Sequence, residues 1–485
     1  MDKKIDKVFE KIRQMNDNSC DINTKKIKID NTFIGIIFLE STASDDKISN
    51  FLGKSLSCDA KNKKNNIFES LFDYLKNTIP DSKIKVIDNY DDMFYYLTCG
   101  FTCILVDNCN KAMAVETKTN LNRAITETTS ETVLRGPKDS FNENYQTNIG
   151  LLRKRIKDPN LIFEEVMVGR RTKTKVSIVY IKDIVNMKKI KELRKELKKL
   201  NVDGVLGSSY LRELVIEKKD SIMPQVILTE RPDLASMSLL NGKITLIVEN
   251  TPYVLIIPAL FIDFFQTPED IYSKPFNATF TRILRFISFF IAVFVPGFYI
   301  AATTFDMEII PNSLLISIAI QKESVPFPTL LEILILLTAY EILREADTRK
   351  PQMMGASVSI VGALILGEAA VSAGVISPIV VIIISISAVS GMVFSDVDVI
   401  NSIREWRVLF ILAASVFGMI GLLISSMIFI GKLCTFESWG VPVSIPISPL
   451  YERDWKSAIL RFKQTKLKKR SAFLTKNITK MRNDK

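Results

Sequence analysis

The side chains that could do chemistry in this chain are carboxylates, because its 485 residues include no histidine. Without histidine there is no Ser-His-Asp or Cys-His nucleophile pair, no HExxH zinc site and no histidine proton shuttle. Three glutamates, Glu332, Glu341 and Glu368, stand inside long apolar stretches. An ionised carboxylate inside a bilayer is costly, so such residues usually face a bundle interior, a partner or water. The pattern predicts pore-lining or inter-subunit positions.

Glu341 also has a simpler interpretation as one half of an ion pair. Arg344 follows three residues later, on the same face of a helix and near the membrane edge. Glu332 and Glu368 have no such neighbour. For these two, pore lining, contact with a partner subunit and contact with helix ends all stay open.

Small residues recur beside these carboxylates and predict a packing face. The glycines of this face are Gly355, Gly362, Gly367 and Gly374, interspersed with alanines. Small side chains let helix backbones approach closely in lipid, which favours an oligomerisation or bundle-core face. Packing within one chain fits the sequence equally well.

Neither the cysteines nor the basic residues form a recognisable catalytic or cofactor site. The six cysteines include no CxxC pair, and we predict reduced thiols with no metal or cofactor. No GxGxxG or Walker A loop is present, so a nucleotide-binding fold is not indicated. A basic cluster could bind phosphate, although a solvated or lipid-facing surface is favoured. Its members are Arg135, Lys138, Arg153, Lys154, Arg155, Arg170 and Arg171.

The amino-terminal half predicts a soluble α/β region that precedes the apolar stretches. We place one subdomain at residues 1–130 and a second at 131–252. Strands are expected at Thr32–Leu39, Phe101–Val106, Val176–Ile181 and Val202–Leu206. Because strands alternate with helical patterns, small βαβ-type sheets are expected.

Residues 286–431 predict an all-α membrane domain of four or five spans. The candidates are 286–305, 325–343, two spans within 355–395 that turn near Ser377-Pro378, and 408–431. Residues 253–285 are expected to form an interfacial linker. Two short apolar stretches, 254–265 in this linker and 309–320 in the membrane domain, are expected to lie at the interface or to re-enter the membrane.

Residues 432–485 form a basic tail. From Arg453 onward it holds twelve Lys/Arg and two Asp, a balance of +10 against a chain total of +11. We expect a cytoplasmic anchor on anionic lipid rather than nucleic-acid binding. Five spans from a cytoplasmic start would put this tail outside, whereas the positive-inside rule keeps it inside. An even number of spans would remove the conflict.

From about residue 130 to 400 the chain resembles the A subunits of the GerA family of spore germinant receptors. The resemblance begins with ETVLRGPKDSFNENYQTN over 131–148 and LLRKRI over 151–156. It continues through Arg231-Pro-Asp233, Glu269-Asp270, Arg282, Arg285, Val325-Pro-Phe-Pro328 with Glu332, Glu341 with Arg344-Glu-Ala346, and SIVGALILGEAAVSAG over 359–374. Ser140, Glu368 and the run Asp347-Thr-Arg-Lys-Pro351 depart from the family pattern.

The resemblance implies a receptor rather than an enzyme. Such A subunits join a soluble domain to a multi-pass domain in the spore inner membrane, with the soluble domain and tail cytoplasmic. They act with a B subunit that holds the germinant and a C-subunit lipoprotein, and they are similar to oligomeric, channel-forming components. A ring of carboxylates from identical subunits would then attract cations.

Two other classes stay open on the residues alone. A secondary transporter would show internal repeat halves, which the sequence lacks. A membrane-anchored enzyme or signalling protein would use the α/β region.

Overall fold

The structure of the chain is a computed structural model. It describes residues 1–17, 19–29, 32–56, 72, 75–76, 84–119, 131–133, 135–215, 223–349, 367–463, 465, 469–471 and 473–475. An α/β head (residues 1–257) is followed by a helical region (residues 261–435) and a carboxyl-terminal segment.

The first half of the head is a five-stranded sheet in the order β1-β2-β4-β5-β3. Its strands are β1 (Ile22–Ile29), β2 (Thr32–Leu39), β3 (Lys85–Ile87), β4 (Phe101–Val106) and β5 (Ala112–Glu116). The helices are α1 (Ile5–Met15), α2 (Asp45–Leu56) and α3 (Tyr90–Thr98). Apolar residues of α1 and α3 bury one face of the sheet.

The second half is another five-stranded sheet, in the order β6-β7-β9-β10-β8. The strands are β6 (Leu161–Val168), β7 (Thr174–Ile181), β8 (Ile227–Thr229), β9 (Ile244–Val248) and β10 (Val254–Ile257). The helices are α4 (Tyr145–Arg155), α5 (Met187–Lys199), α6 (Ser208–Val215) and α7 (Pro232–Leu240). Helices α5 and α6 cover one face, and α4 and α7 cover the other.

The predicted α/β class is confirmed, but the expected βαβ-type pairing is wrong. Neighbouring strands are antiparallel in both sheets. Strands that follow each other closely, such as β1 and β2, pair directly, which an antiparallel ladder allows and a parallel crossover does not.

Two local predictions in this region are also wrong. Residues 202–206 form no strand, because their carbonyl oxygens accept hydrogen bonds from residues 170–174. Arg170 N–H donates to Val202 O at 2.9 Å, and Thr174 Oγ1 donates to Val205 O at 2.7 Å. Residues 254–257, expected at the membrane interface, form strand β10 in the second sheet, where all four are buried. Their apolar run matches a strand buried on both faces.

The helical region begins after a 3-10 turn at Phe261–Phe265. Its helices are α8 (Glu269–Tyr272), α9 (Pro275–Thr304), α10 (Asn312–Glu323), α11 (Thr329–Arg349), α12 (Pro378–Gly391) and α13 (Val397–Thr435), with a second 3-10 turn at Met307–Ile309. Among the described residues, α9 and α13 are long and apolar enough to cross a membrane. Ser377 precedes α12 and Pro378 opens it, at the predicted turn.

Helix α13 is a hairpin of two half-helices, 397–417 and 419–435. Gly418, with φ +58°, interrupts the helical backbone. Trp406 and Phe429 would lie about 35 Å apart in a straight helix, yet their ring centroids are 4.7 Å apart. Asp306 Oδ2 accepts a hydrogen bond from Met419 N–H at 3.2 Å and so caps the second half-helix. The apolar run 408–431, predicted as one of the candidate spans, therefore contains a turn.

The carboxyl-terminal segment returns to the head. It contains β11 (Glu437–Ser438), β12 (Val441–Pro442) and α14 (Glu452–Ile459). Ser438 Oγ donates to Gln225 O at 2.7 Å, and Arg470 Nε donates to Leu240 O at 2.7 Å. The head and the start of the basic tail therefore lie at the same end of the helices.

Candidate functional site

Glu332 lies in the first turn of α11 and is completely buried. Its Oε2 accepts hydrogen bonds from Ser377 N–H at 2.8 Å and from Ser377 Oγ at 2.7 Å. Ser377 stands at the start of α12, where backbone N–H groups and the helix dipole favour negative charge. The carboxylate therefore ties α11 to α12 within one chain.

A second polar group faces this carboxylate without a hydrogen bond. Within the described part of the chain, Glu332 Oε1 and the Tyr299 hydroxyl are buried and have no hydrogen-bond partner. Lys322 donates to Thr329 Oγ1, and its Nζ lies 5.8 Å from the centroid of the Tyr299 ring. An unpaired carboxylate oxygen and a phenol in such a setting can hold a water molecule or a small cation.

Glu341 lies about two and a half turns further along α11, among arginines. Its Oε2 is 3.6 Å from Arg344 Nε and 3.1 Å from Arg404 Nη1. The partner three residues away is the one that the sequence indicated. Arg404, on the first half of α13, is 63 residues away and gave no local signal.

Glu368 differs from the other two carboxylates because its side chain is exposed on the single chain. It belongs to the short helical stretch 367–372 that precedes α12. A Cβ on Gly367 would lie 3.9 Å from Val381 Cγ1, so the stretch packs beside α12. Gly374 has φ +65° and approaches Ser324 O. Gly355 and Gly362 lie outside the described residues.

Ion pairs join the head to the helical region. Arg212 of α6 pairs with Asp398 at the start of α13. Lys243 Nζ lies 2.6 Å from Asp263 Oδ2, in the turn that follows the head. Within the helical region, Asp270 of α8, 2% exposed, accepts hydrogen bonds from Arg282 Nε at 2.8 Å and from Arg285 Nη1 at 3.0 Å, both on α9.

The sequence did not predict that these charged residues pair with each other. Asp270, Arg282 and Arg285 were noted only as residues of a family resemblance, and Arg212 and Asp398 stand 186 positions apart. The one available signal was charge at the start of an apolar helix, where arginines need acidic partners.

The basic cluster of residues 135–171 is divided in the structure. Arg153 is fully buried and pairs with Asp21, whereas Arg155 pairs with Asp139, and Arg170 and Arg171 pair with Asp203 while staying exposed. Arg135, Lys138 and Lys154 are exposed as well. The favoured interpretation of a solvated surface therefore fits these members and not Arg153.

Burial raises the pKa of two thiols and one carboxyl group in the head. It raises the pKa of the Cys20 thiol to about 12 and raises that of the Cys103 thiol, so both are protonated at neutral pH. Burial also raises the pKa of Glu131 to about 7, opposed by a hydrogen bond from Thr229. Protonated thiols are poor nucleophiles.

Comparison with known proteins finds one family over nearly the whole chain. A family model described as "Bacillus/Clostridium GerA spore germination protein" matches residues 10–473. Spore germination protein KA of Bacillus subtilis (strain 168) is 37% identical over 447 residues, which cover 92% of this chain and 82% of that protein. Spore germination protein GerLA of Bacillus cereus is 31% identical over 475 residues, covering 97% and 96%.

One solved structure is also similar. It is the N-terminal domain of the A subunit of the Bacillus megaterium spore germinant receptor GerK3, at 30% sequence identity and a TM-score of 0.44. The match covers 54% of this chain and 97% of that one.

Proposed function

The chain belongs to the GerA family of spore germination proteins, and from that premise we propose that it is the membrane-embedded A subunit of a germinant receptor. Its role is in germination. It works in the inner membrane of the dormant spore with a B subunit that holds the nutrient and a C-subunit lipoprotein. We propose no catalytic activity for it.

The observation that carries this proposal is the charged joint between the head and the helices. Arg212 of the head holds Asp398 at the start of the α13 hairpin, and Lys243 of the head holds Asp263 in the turn that opens the helical region. If the head moves relative to the membrane, these ion pairs must either break or move the attached helices with the head. A ligand that favours one arrangement of the joint would then shift the helices.

The positions of the two chain ends support a cytoplasmic location for both. The head and the segment up to Thr475 contact each other, as Thr475 Oγ1 donates to Ile184 O. With both on one side, the helices cross an even number of times, and the α13 hairpin returns the chain to the side on which it started. This satisfies the positive-inside rule for the basic tail.

We propose further that several copies assemble into an ion-conducting ring. Glu368 is the preferred lining residue because it is exposed on the single chain, beside the small residues Gly367 and Gly374. Glu332, held by Ser377, is preferred as a positioning residue at the same end of α12. Glu341, paired with Arg344 on its own helix and with Arg404 on α13, braces α11 against α13.

The test is ion conductance through purified protein reconstituted in planar bilayers. Glu368→Gln is expected to reduce cation selectivity, and Glu332→Gln to reduce the number of open channels while selectivity stays unchanged. Glu308→Gln, which removes an exposed carboxylate outside the helices, is the matched control. Unchanged selectivity in Glu368→Gln would remove the pore assignment.

The receptor role has a separate test. Spores that lack this chain should fail to respond to at least one nutrient, and the wild-type chain should restore the response. Normal germination with every nutrient tested would contradict the role, whatever the conductance experiment shows.

A further inference from the structure

Two arginines pair with one carboxylate at the edge of the apolar helices, and a third lies near them. Arg344 and Arg404 contact Glu341 directly, and Arg407 lies nearly one turn beyond Arg404 on α13. Glu341, Arg344 and Arg404 all act electrostatically on Arg407. Around Arg407, two further guanidinium charges therefore stand against the one carboxylate of Glu341.

Arg407 is the unexplained member of this group. It is 2% exposed, and its Nε and Nη1 are buried without a hydrogen-bond partner in the part of the chain that the structure describes. Burying a charged group without partners is strongly unfavourable. A guanidinium binds phosphate and carboxylate oxygens through charge-assisted hydrogen bonds.

The surroundings of the cluster fit a membrane lipid. The uncharged run 408–417 begins directly after Arg407, so the arginines stand where a headgroup would meet the helices. Arg404 and Arg344 keep 39% and 23% of their side-chain surfaces exposed, which leaves the cluster open to its outer side. Leu412, about two turns beyond Arg404 on α13, offers exposed apolar surface for an acyl chain.

We propose that Arg344, Arg404 and Arg407 bind the phosphate group of an anionic phospholipid. This goes beyond the germination role and does not depend on it. Lipid would then contact the protein at this arginine cluster between α11 and α13 as well as at the basic tail. Free phosphate carries the same chemistry and is separated from lipid by the experiment.

The experiment measures thermal unfolding of the full-length protein in a neutral maltoside detergent. Phosphatidylglycerol, phosphatidylcholine or inorganic phosphate is titrated in, with chloride holding the ionic strength constant. Binding to the native state raises the Tm according to ligand concentration over Kd. We expect phosphatidylglycerol to raise the Tm and phosphatidylcholine to have no such effect. A rise with inorganic phosphate as well would show that the site also takes the free anion.

Variants connect the effect to the cluster. Arg407→Met should weaken the apparent Kd for phosphatidylglycerol roughly 10- to 100-fold, as expected for a lost charge-assisted hydrogen bond. Arg407→Lys should fall between this variant and the wild type, because it keeps the charge and loses the guanidinium. Lys432→Gln removes a charge from the exposed end of the same hairpin and should leave the Kd unchanged. Without lipid, Arg407→Met should unfold at or above the wild-type Tm, which shows that it folds.

Two results would overturn the proposal. One is an equal response of wild type and Arg407→Met to phosphatidylglycerol. The other is Arg407-dependent oligomerisation in lipid-free detergent, which would assign Arg407 to a carboxylate of a neighbouring copy.

Discussion

Replacing Asp21 with asparagine should weaken the contact between the two halves of the head and lower the stability of the protein. Asp21 precedes β1 in the first half, and Arg153 is on α4 in the second. Arg153 Nε and Nη2 lie 2.8 and 3.0 Å from the two carboxylate oxygens of Asp21, and both side chains are fully buried. Asp21→Asn keeps the shape of the side chain and leaves the guanidinium charge buried without its counter-ion.

The expected loss is about 3–5 kcal/mol of unfolding free energy, the cost of removing one partner from a buried pair. The rings of Phe163 and Phe94, 4.8 and 5.9 Å from Arg153 Cζ, remain as weak cation contacts. Asp21→Asn combined with Arg153→Met should lose less than the single variant, because no charge is left buried. Asp6→Asn is the control. It breaks a pair with Lys26 whose side chains are 74% and 33% exposed, and it should cost under about 1 kcal/mol.

Urea unfolding of the full-length protein in detergent, read by pulse proteolysis, gives the free energies. Amide hydrogen exchange locates the change. Cys20 N–H donates to Phe163 O and Phe163 N–H donates to Ser19 Oγ, each at 3.0 Å, so these two amides should lose protection in Asp21→Asn. A loss below about 1 kcal/mol, or a double variant weaker than the single one, would refute the assignment of a buried charge pair.

Three other outcomes follow from the described contacts. Gly418→Ala should destabilise the protein by about 1–3 kcal/mol, because a Cβ at positive φ would lie 2.8 Å from Phe305 Cβ. Gly431→Ala is the control and should not lower the Tm, because a Cβ there would meet nothing within 4 Å. An equal loss of Tm in the two variants would contradict the turn at Gly418. Glu131, with a native pKa of about 7 against an ordinary 4.5, holds a proton that the unfolded chain releases, so stability should fall as pH rises from about 4.5 to 7. Glu131→Gln should flatten this part of the Tm profile, and an unchanged profile would exclude Glu131 as its source. Arg212→Gln and Asp398→Asn should each alter nutrient-triggered germination, with the double variant no worse than either single one; additive effects would mean that the two residues act separately.

Features that depend on neighbouring residues could be predicted from the sequence. Strands Thr32–Leu39 and Phe101–Val106 were located by their apolar runs, and the apolar run 286–305 falls inside α9 apart from its last residue. Glu341 and Arg344 were paired because helical geometry brings residues three apart together. The spacing of apolar residues over 67–79 predicts a helix and the polar residues of 119–135 predict a connection, but most of both stretches lies outside the residues that the structure describes.

Contacts between distant residues could not be predicted in this way. The apolar composition of 408–431 fits one straight helix as well as two, and the turn at Gly418 depends on Phe305 and Asp306 at the end of α9. Likewise, three glutamates that look equivalent in the sequence have different surroundings: Glu332 bonds to Ser377, Glu341 to Arg404, and Glu368 is exposed.

The sequence by itself determined the separation of a polar α/β half from an apolar helical half, because transfer from water depends on composition along the chain. It also determined the family, through motifs that keep their order over 270 positions, from about residue 130 to 400. Only the tertiary structure decided the antiparallel sheets, the folded-back α13, and the placement of Arg153 and Arg407 inside the protein. Those outcomes depend on which distant side chains meet, and the energy of a buried charge is set by these partners rather than by its neighbours in sequence.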